Sequence, residues 1–381
     1  MSHLSSRRLA VLAGGPLVLV LAACGGGGAT IDDDVSGGEA PQLVTVDAGY
    51  VSAVDQLGLP IGLETGAFEE QGLDVRLAQP FPTGVDSLNA LQAGEVDFIQ
   101  VGTPAIGAAQ RGLDLVLLGN YSGSASQQAI DDTMAVVARP GSGISGDDLA
   151  TLRGKRIGVS IGSINHLYLI GLLQELQIPA GEVEVVNTAP PDMPVALQTS
   201  GIDAAIVWDP WPITIEQQVQ GAEEVVRGGG YIPYVGYIVA MREFVEQNPD
   251  VVARFLTARA TADQWMRENP DEAAEAATRW LPGTEPEVAS EAMQYNVAQL
   301  DPRFSACNYA ALDTVAQMLA EQGVTEPGFA VADRFVPGPI TTVMEERPEL
   351  FDDLPAIPEP ARIGADFAYE REAALAACPA T

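Results

Sequence analysis

The chain is 381 residues long and carries 52 acidic against 19 basic side chains, a formal net charge of −33. That length is enough for two domains with real cores. So acidic a balance argues against nucleic acid or an anionic lipid surface as partner, and says little about a buried pocket.

Residues 1–24 read as an export signal rather than as part of the fold. Arg7 and Arg8 form a positive start, and Leu9 to Leu21 is an apolar run too short to span a bilayer comfortably. Leu21-Ala22-Ala23-Cys24, followed by Gly25, looks like a bacterial lipobox, in which Cys24 becomes the lipidated first residue. The alternative is a plain secretory peptide with an incidental cysteine. The paired arginines also fit a twin-arginine signal in part. Residues 25–41, Gly-rich and then acidic, read as a flexible tether. The expected location is the outer face of the cell membrane, with the protein held by lipid outside the cytoplasm. Loss of residues 1–23 removes two arginines and takes the net charge to about −35. Of the three cysteines, Cys307 and Cys378 remain once Cys24 is given to lipid. In an exported protein a disulfide between them is expected to tie down the C-terminal tail, with two free thiols as the alternative.

From Leu43 the chain alternates strand and helix. Leu43–Asp47 and Leu73–Leu77 read as strands, with a short helix opening at Pro60 between them. Gly84–Ala93 is a helix closed by Gly94, Val96–Val101 is a strand, and Gly102-Thr103-Pro104 turns into a helix ending at Gln110. Leu113–Gly119 and Thr133–Ala138 follow as strands. Ser145 with Asp148 resembles a capping box for a helix over Asp147–Leu152.

The most informative stretch is Leu152–Tyr168. A short apolar strand, Arg156–Ser160, breaks at Gly162-Ser163, and a helix opens over Ile164–Gln177 with Leu167, Ile170, Leu173 and Leu176 at helical spacing. A Gly-Ser turn feeding a helix leaves N–H groups free at the helix start, a generic place for an anionic or polar group. Val183–Val186 is then a strand, Asp192 caps a helix to Thr199, and Ala204–Trp208 is a strand. A helix over Pro210–Val219, a short strand at Glu224–Val226 and a strand at Tyr234–Met241 complete an α/β pattern with a largely parallel sheet in each half. From Arg242 the pattern is helical, with helices over Pro249–Glu268 and Pro270–Trp280 among those punctuated by Asn-Pro at 248–249 and 269–270; residues 323–381 are Pro-rich and read as a packed, mostly irregular tail with an occasional short helix.

No catalytic constellation stands out. The mature chain has one histidine, His166, and none of the common nucleophile, zinc or nucleotide motifs. No cofactor or metal is implied. Five strand-to-helix loops instead carry small polar and aromatic residues: Gly49 to Ser52, Gly102 to Pro104, Tyr121 to Ser124, Gly162 to His166, and Trp208 to Trp211. In open α/β sheets ligands bind at the carboxyl ends of strands, where each of these loops falls, so a cleft is expected.

Asp203-Ala204-Ala205-Ile206-Val207-Trp208-Asp209-Pro210, set after Leu152 to Val159 and Gly162-Ser163, resembles the solute-binding proteins of ABC importers. The group is that of aliphatic sulfonate, taurine, nitrate and thiamine-precursor binding proteins. Phe68 to Val75, Leu91 to Phe98 and Leu300 to Phe304 are similar to it too, and the likeness spans roughly residues 43 to 335. The resemblance implies a two-lobed periplasmic-binding-protein-like fold (type II), with two crossing strands as hinge and a helical C-terminal extension. Lobe 1 would be residues 42–137 plus 236–381 and lobe 2 residues 138–235, with crossings near Ala135–Arg139 and Tyr234–Met241. It implies a monomer that takes a small-molecule ligand in the cleft and passes it to a membrane permease. By the same resemblance the ligand-facing residues are Tyr50, Thr103, Tyr121, Ser163, His166, Trp208 and Asp209.

The five loops contain no lysine or arginine. A sulfonate or nitrate would rest on N–H groups at Thr103 and Ser163, while Asp55 and Asp209 would suit the ammonium of a zwitterion such as taurine. A sulfonate-type ligand ranks first and a flat pyrimidine heterocycle second. The rival functions are a pyrimidine-forming enzyme on the same fold and a ligand sensor that contacts a membrane receptor.

Overall fold

The computed structural model describes residues 43–127, 131–364 and 367–378. The export signal, Cys24 and the tether lie outside the described residues. Ten strands run in chain order: β1 (Val44–Gly49), β2 (Leu73–Leu77), β3 (Phe98–Val101), β4 (Leu115–Ser122), β5 (Met134–Ala138), β6 (Arg156–Val159), β7 (Glu184–Asn187), β8 (Ala204–Trp208), β9 (Glu223–Arg227) and β10 (Gly236–Met241). They form two five-stranded sheets, ordered β2-β1-β3-β10-β4 and β7-β6-β8-β5-β9. β10 pairs antiparallel with β3 and β4, and β5 does so with β8 and β9, so one strand in each sheet opposes the other four.

β3, β5 and β8 are mostly apolar, lie inside their sheets and are buried at every position, as strands covered on both faces must be. β4 is buried throughout although it is an edge strand, because the segment Leu300 to Phe304 covers it. β2 alternates buried and exposed residues and takes an edge. The mixed α/β architecture with two lobes is the expected one.

One boundary moves. Residues 134–137 were expected in the first lobe, but β5 pairs along its whole length with β8 and β9. The chain therefore leaves the first sheet after Ser122 and enters the second at Met134. The return lies between Arg227 and Gly236, so β10 belongs to the first sheet rather than forming the crossing itself. The reason is hydrogen bonding: a five-residue apolar strand is satisfied inside a sheet and not as a bridge between two.

The helical region packs on the first sheet. Phe255, on the helix Pro249–Glu268, stacks on Phe98 of β3 with ring centroids 3.9 Å apart. The same helix carries a fully buried pair, Arg259 and Asp263, at 2.9 Å. Gly58 makes room for it, since a Cβ there would stand 1.3 Å from Arg259 Nη1. The segment Leu300 to Phe304 lies along β4, where Asn120 donates to the carbonyls of Asp301 and Arg303 at 3.1 and 2.7 Å.

The tail is mostly irregular, with the short helices Gly338–Glu346 and Arg371–Ala377, as its sequence leads one to expect. Cys307 and Cys378 are joined, with Cα atoms 5.4 Å apart, and a small apolar cluster including Ala306, Ala310 and Ala377 surrounds them. Two local expectations fail. Asp147–Leu152 is only a short 3-10 turn over Leu149–Leu152, capped by Asp148. Asp192 makes no side-chain cap because its backbone is already helical, whereas a capping residue is extended.

Candidate functional site

The carboxyl ends of the strands from both sheets meet around one small cavity of about 30 Å³. That is well below the ~300–1,000 Å³ usual for small-molecule sites. The first lobe supplies Val51, Asp55 and Gln56 after β1, Val101 and Gly102 at the end of β3, and Tyr121 on β4. The second supplies Ser163 and Ile164 after β6 and Trp208 at the end of β8, while Tyr234 comes from the return crossing. Gly102 is needed for a close approach: a Cβ there would stand 2.4 Å from the Val235 carbonyl oxygen of that crossing.

Of the seven residues expected to face a ligand, Tyr121, Ser163 and Trp208 line this cavity. Thr103, between the lining residues Gly102 and Pro104, instead lines the adjoining groove with Ile161 and Gly162, and its hydroxyl donates across to the Gly162 carbonyl at 3.3 Å. The other three also stand outside the lining. Tyr50 is buried in the first lobe and donates to the Trp280 carbonyl at 3.1 Å. Side chains alternate along extended chain, so Val51, not Tyr50, faces the cleft. His166 turns back over its own loop, where Nδ1 accepts the Gly162 N–H at 3.2 Å; burial lowers its pKa and so favours the neutral form that can accept.

Asp209 is buried beside Trp208, outside the cavity lining. Both carboxylate oxygens lie 3.0 Å from Arg227 Nη1, and Asn296 of the helical region donates to one of them at 3.1 Å. Burial pushes this carboxyl up, while Arg227 and Asn296 oppose that. With the guanidinium at hydrogen-bond distance from both oxygens, the pair is ionised. Arg227 in turn sits 4.1 Å from the centre of the Tyr295 ring.

The two lobes touch through several further bonds at this point. The indole N–H groups of Trp208 and Trp211 both donate to the Ser52 carbonyl, at 3.3 and 3.2 Å. The Val54 N–H donates to the Asp209 carbonyl at 3.3 Å. Together with Thr103–Gly162 and Asn296–Asp209, these join the first lobe to the second around the cavity.

The main residue that the seven omitted is Asp55. It is 2 % exposed and accepts from the Tyr234 hydroxyl at 2.9 Å. Burial pushes its carboxyl up to about 6, and hydrogen bonds from Tyr234 and Ser122 offset this only in part. Tyr121 and Tyr234 have pKa values raised well above the ordinary phenol range, by burial first and then by the Asp55 charge. A signal was present in the sequence: Asp55 is the one charged residue between Asp47 and Glu64. Gln56 was missed for the opposite reason, since a glutamine at the start of a helix looks ordinary. It accepts the Val51 N–H at 2.6 Å and its carbonyl accepts from Gln100 at 2.8 Å, which fixes the loop after β1.

Among the described residues no group of three or more His, Cys, Asp or Glu side chains is placed to hold a metal ion, and no helix is long and apolar enough to cross a membrane. The family model described as "NMT1/THI5 like" matches residues 54–273. A Bacillus subtilis (strain 168) protein named for aliphatic-sulfonate binding is 30% identical over 248 residues, 63% of this chain and 70% of that protein. The taurine-binding periplasmic protein of Escherichia coli (strain K12) is 29% identical over 236 residues, 60% of this chain and 69% of its own length. Among solved structures, the alkanesulfonate-binding protein SsuA from Xanthomonas axonopodis pv. citri superposes with a TM-score of 0.69 at 20% identity. That match covers 78% of this chain and 99% of the other, and establishes the periplasmic-binding-protein fold. With more than half of its length matched by the family model, the chain belongs to the NMT1/THI5-like family.

Proposed function

We propose that the protein is the extracytoplasmic substrate-binding component of an ABC importer, and that it captures a small sulfonate-type solute between its lobes. The observation that carries this reading is the cavity built from the strand ends of both lobes, in a chain whose relatives are named for sulfonate and taurine binding. Ser163 and the start of the helix Ile164–Glu175 suit the sulfonate oxygens, because the first N–H groups of a helix have no intrahelical partner. Closure of the lobes about the two crossings brings Thr103, Trp208 and Trp211 to their partners, and the closed form is what a membrane permease reads. Cys24 carries the lipid, the bond between Cys307 and Cys378 forms outside the cytoplasm, and the protein acts as a monomer.

A flat heterocycle is the second reading, favoured by the aromatic side chains of Tyr121, Trp208 and Tyr234 in the lining. A pyrimidine-forming enzyme has less support. His166 stands outside the cavity lining, and the two cysteines among the described residues are joined to one another.

A thermal-shift panel on the purified protein tests the proposal, with alkanesulfonates, 2-aminoethanesulfonate, nitrate, bicarbonate and pyrimidines. A ligand that binds only the folded state raises Tm, by about 2.7 kcal/mol of stabilisation at a hundred times its Kd. The expected result is a shift with a sulfonate. A shift with pyrimidines alone would transfer the protein to the second reading.

A further inference from the structure

The hydrogen bonds between the lobes fall into two groups. Those of the Trp208 indole and the Thr103 hydroxyl come from the cavity lining and the groove beside it. The others join residues outside the cavity lining, and they gather at the end of one helix of the first lobe, Pro286–Asn296. That helix packs on the turn Val54–Gln56 of its own lobe and on the helix Trp211–Gln218 of the second.

Its last two residues make the direct contacts. Asn296 is 1 % exposed, and its amide donates to the Ala292 carbonyl of its own helix at 2.7 Å and to Asp209 of the second lobe at 3.1 Å. The first bond fixes where the second points. Tyr295 lies under the guanidinium of Arg227, the cation paired with Asp209. Around the same aspartate the Val54 N–H donates to its backbone carbonyl, and the Trp211 indole donates to the Ser52 carbonyl. All of these bonds join one protein group to another and need no solute between the lobes. A hydrogen bond to a charged group shifts an equilibrium by roughly tenfold or more, and a cation against a ring face adds to it. The space the lobes leave between them is about 30 Å³, room for about one or two water molecules.

We propose that Tyr295 and Asn296 form a latch that holds the second lobe against the first with no solute between them. They are positioning residues: they act through Arg227 and Asp209 and touch nothing in the cavity. The resting protein is therefore closed, and a solute is admitted only when the latch parts, which makes association slower than to an open cleft. The inference uses the two-lobed fold and not the identity of the solute, so its failure would leave the importer reading standing.

Small-angle X-ray scattering of the purified protein, with no solute added, tests it. The wild type should scatter as the closed structure does. Tyr295 is half-buried, so Tyr295→Leu leaves no buried polar group unpaired and keeps the fold; it should open part of the population and raise the radius of gyration. Asn296→Asp is nearly isosteric and sets a carboxylate against Asp209, so like charges should part the lobes further. A cooperative thermal melt checks that each variant is folded. A larger radius of gyration in the variants than in a closed wild type upholds the latch, and Tyr295→Leu decides alone if Asn296→Asp does not fold. A wild type more expanded than the closed structure, or folded variants that scatter as the wild type does, would overturn it.

Discussion

Replacing Arg227 with methionine is expected to cost about 3–5 kcal/mol of folding stability at pH 7, the scale for leaving one member of a buried ion pair alone. Asp209 would lose the guanidinium that now lies 3.0 Å from both its oxygens, in a place where its side chain has no solvent exposure. Asn296 would remain as its side-chain donor, and one amide does not replace a cation. Urea unfolding of the variant measures the loss directly. Adding Asp209→Leu to Arg227→Met should recover much of it, because the fully buried charge goes with its partner and only the partly exposed Glu224 is left without Arg227. A loss below about 1 kcal/mol in the single variant, a value typical of exposed pairs, would mean that solvent reaches Asp209 and that the pair does not brace this wall of the cleft.

The second large effect runs the other way. Asp55→Asn should make the unliganded protein more stable than wild type above pH 6. The folded carboxyl stands at about 6 against an ordinary 3.8, and that difference corresponds to roughly 3 kcal/mol. The sign follows from proton counting. Between pH 4 and pH 6 the folded state holds a proton on Asp55 that the unfolded state has released, so wild-type stability falls as pH rises through this window. Asparagine has nothing to release and keeps a carbonyl that can accept from Tyr234. The stability difference between variant and wild type should therefore be small at pH 4 and reach its full size above pH 6, as read from denaturation midpoints across that range. A constant difference would show that Asp55 titrates normally in the folded protein. Burying a carboxylate at a stability cost is common where a site must meet a charged ligand.

The architecture could be read from the sequence because its signals are local. β8 at Ala204–Trp208 and the helices Pro249–Glu268 and Pro270–Trp280 match their expected limits at both ends, since apolar runs and Asn-Pro boundaries mark them. The assignment of β5 failed because nothing within Met134–Ala138 says which sheet it joins; that is decided by pairing with β8 and β9, far away in sequence.

The site was half legible for a similar reason. Loop positions after β3, β6 and β8 follow from strand ends, so Thr103, Ser163 and Trp208 fall at or beside the cavity. Which way a side chain turns was not legible. Tyr50 and Asp209 flank cavity residues and face elsewhere, drawn by partners at Trp280 and Arg227 that no spacing rule connects to them. Asp55 was visible as a lone charge in an apolar run, but its lack of a basic partner appears only once the other buried aspartates are seen with theirs.

The most direct test of the central claim is hydrogen exchange of the purified protein with and without saturating 2-aminoethanesulfonate. Ligand held between the lobes should slow exchange in residues 51–56 and 101–104 of the first lobe and in residues 162–165 and 206–209 of the second, all around one cavity. Protection confined to a single lobe, or centred on the surface groove that runs from Asp313 to Phe329, would contradict an interlobe site.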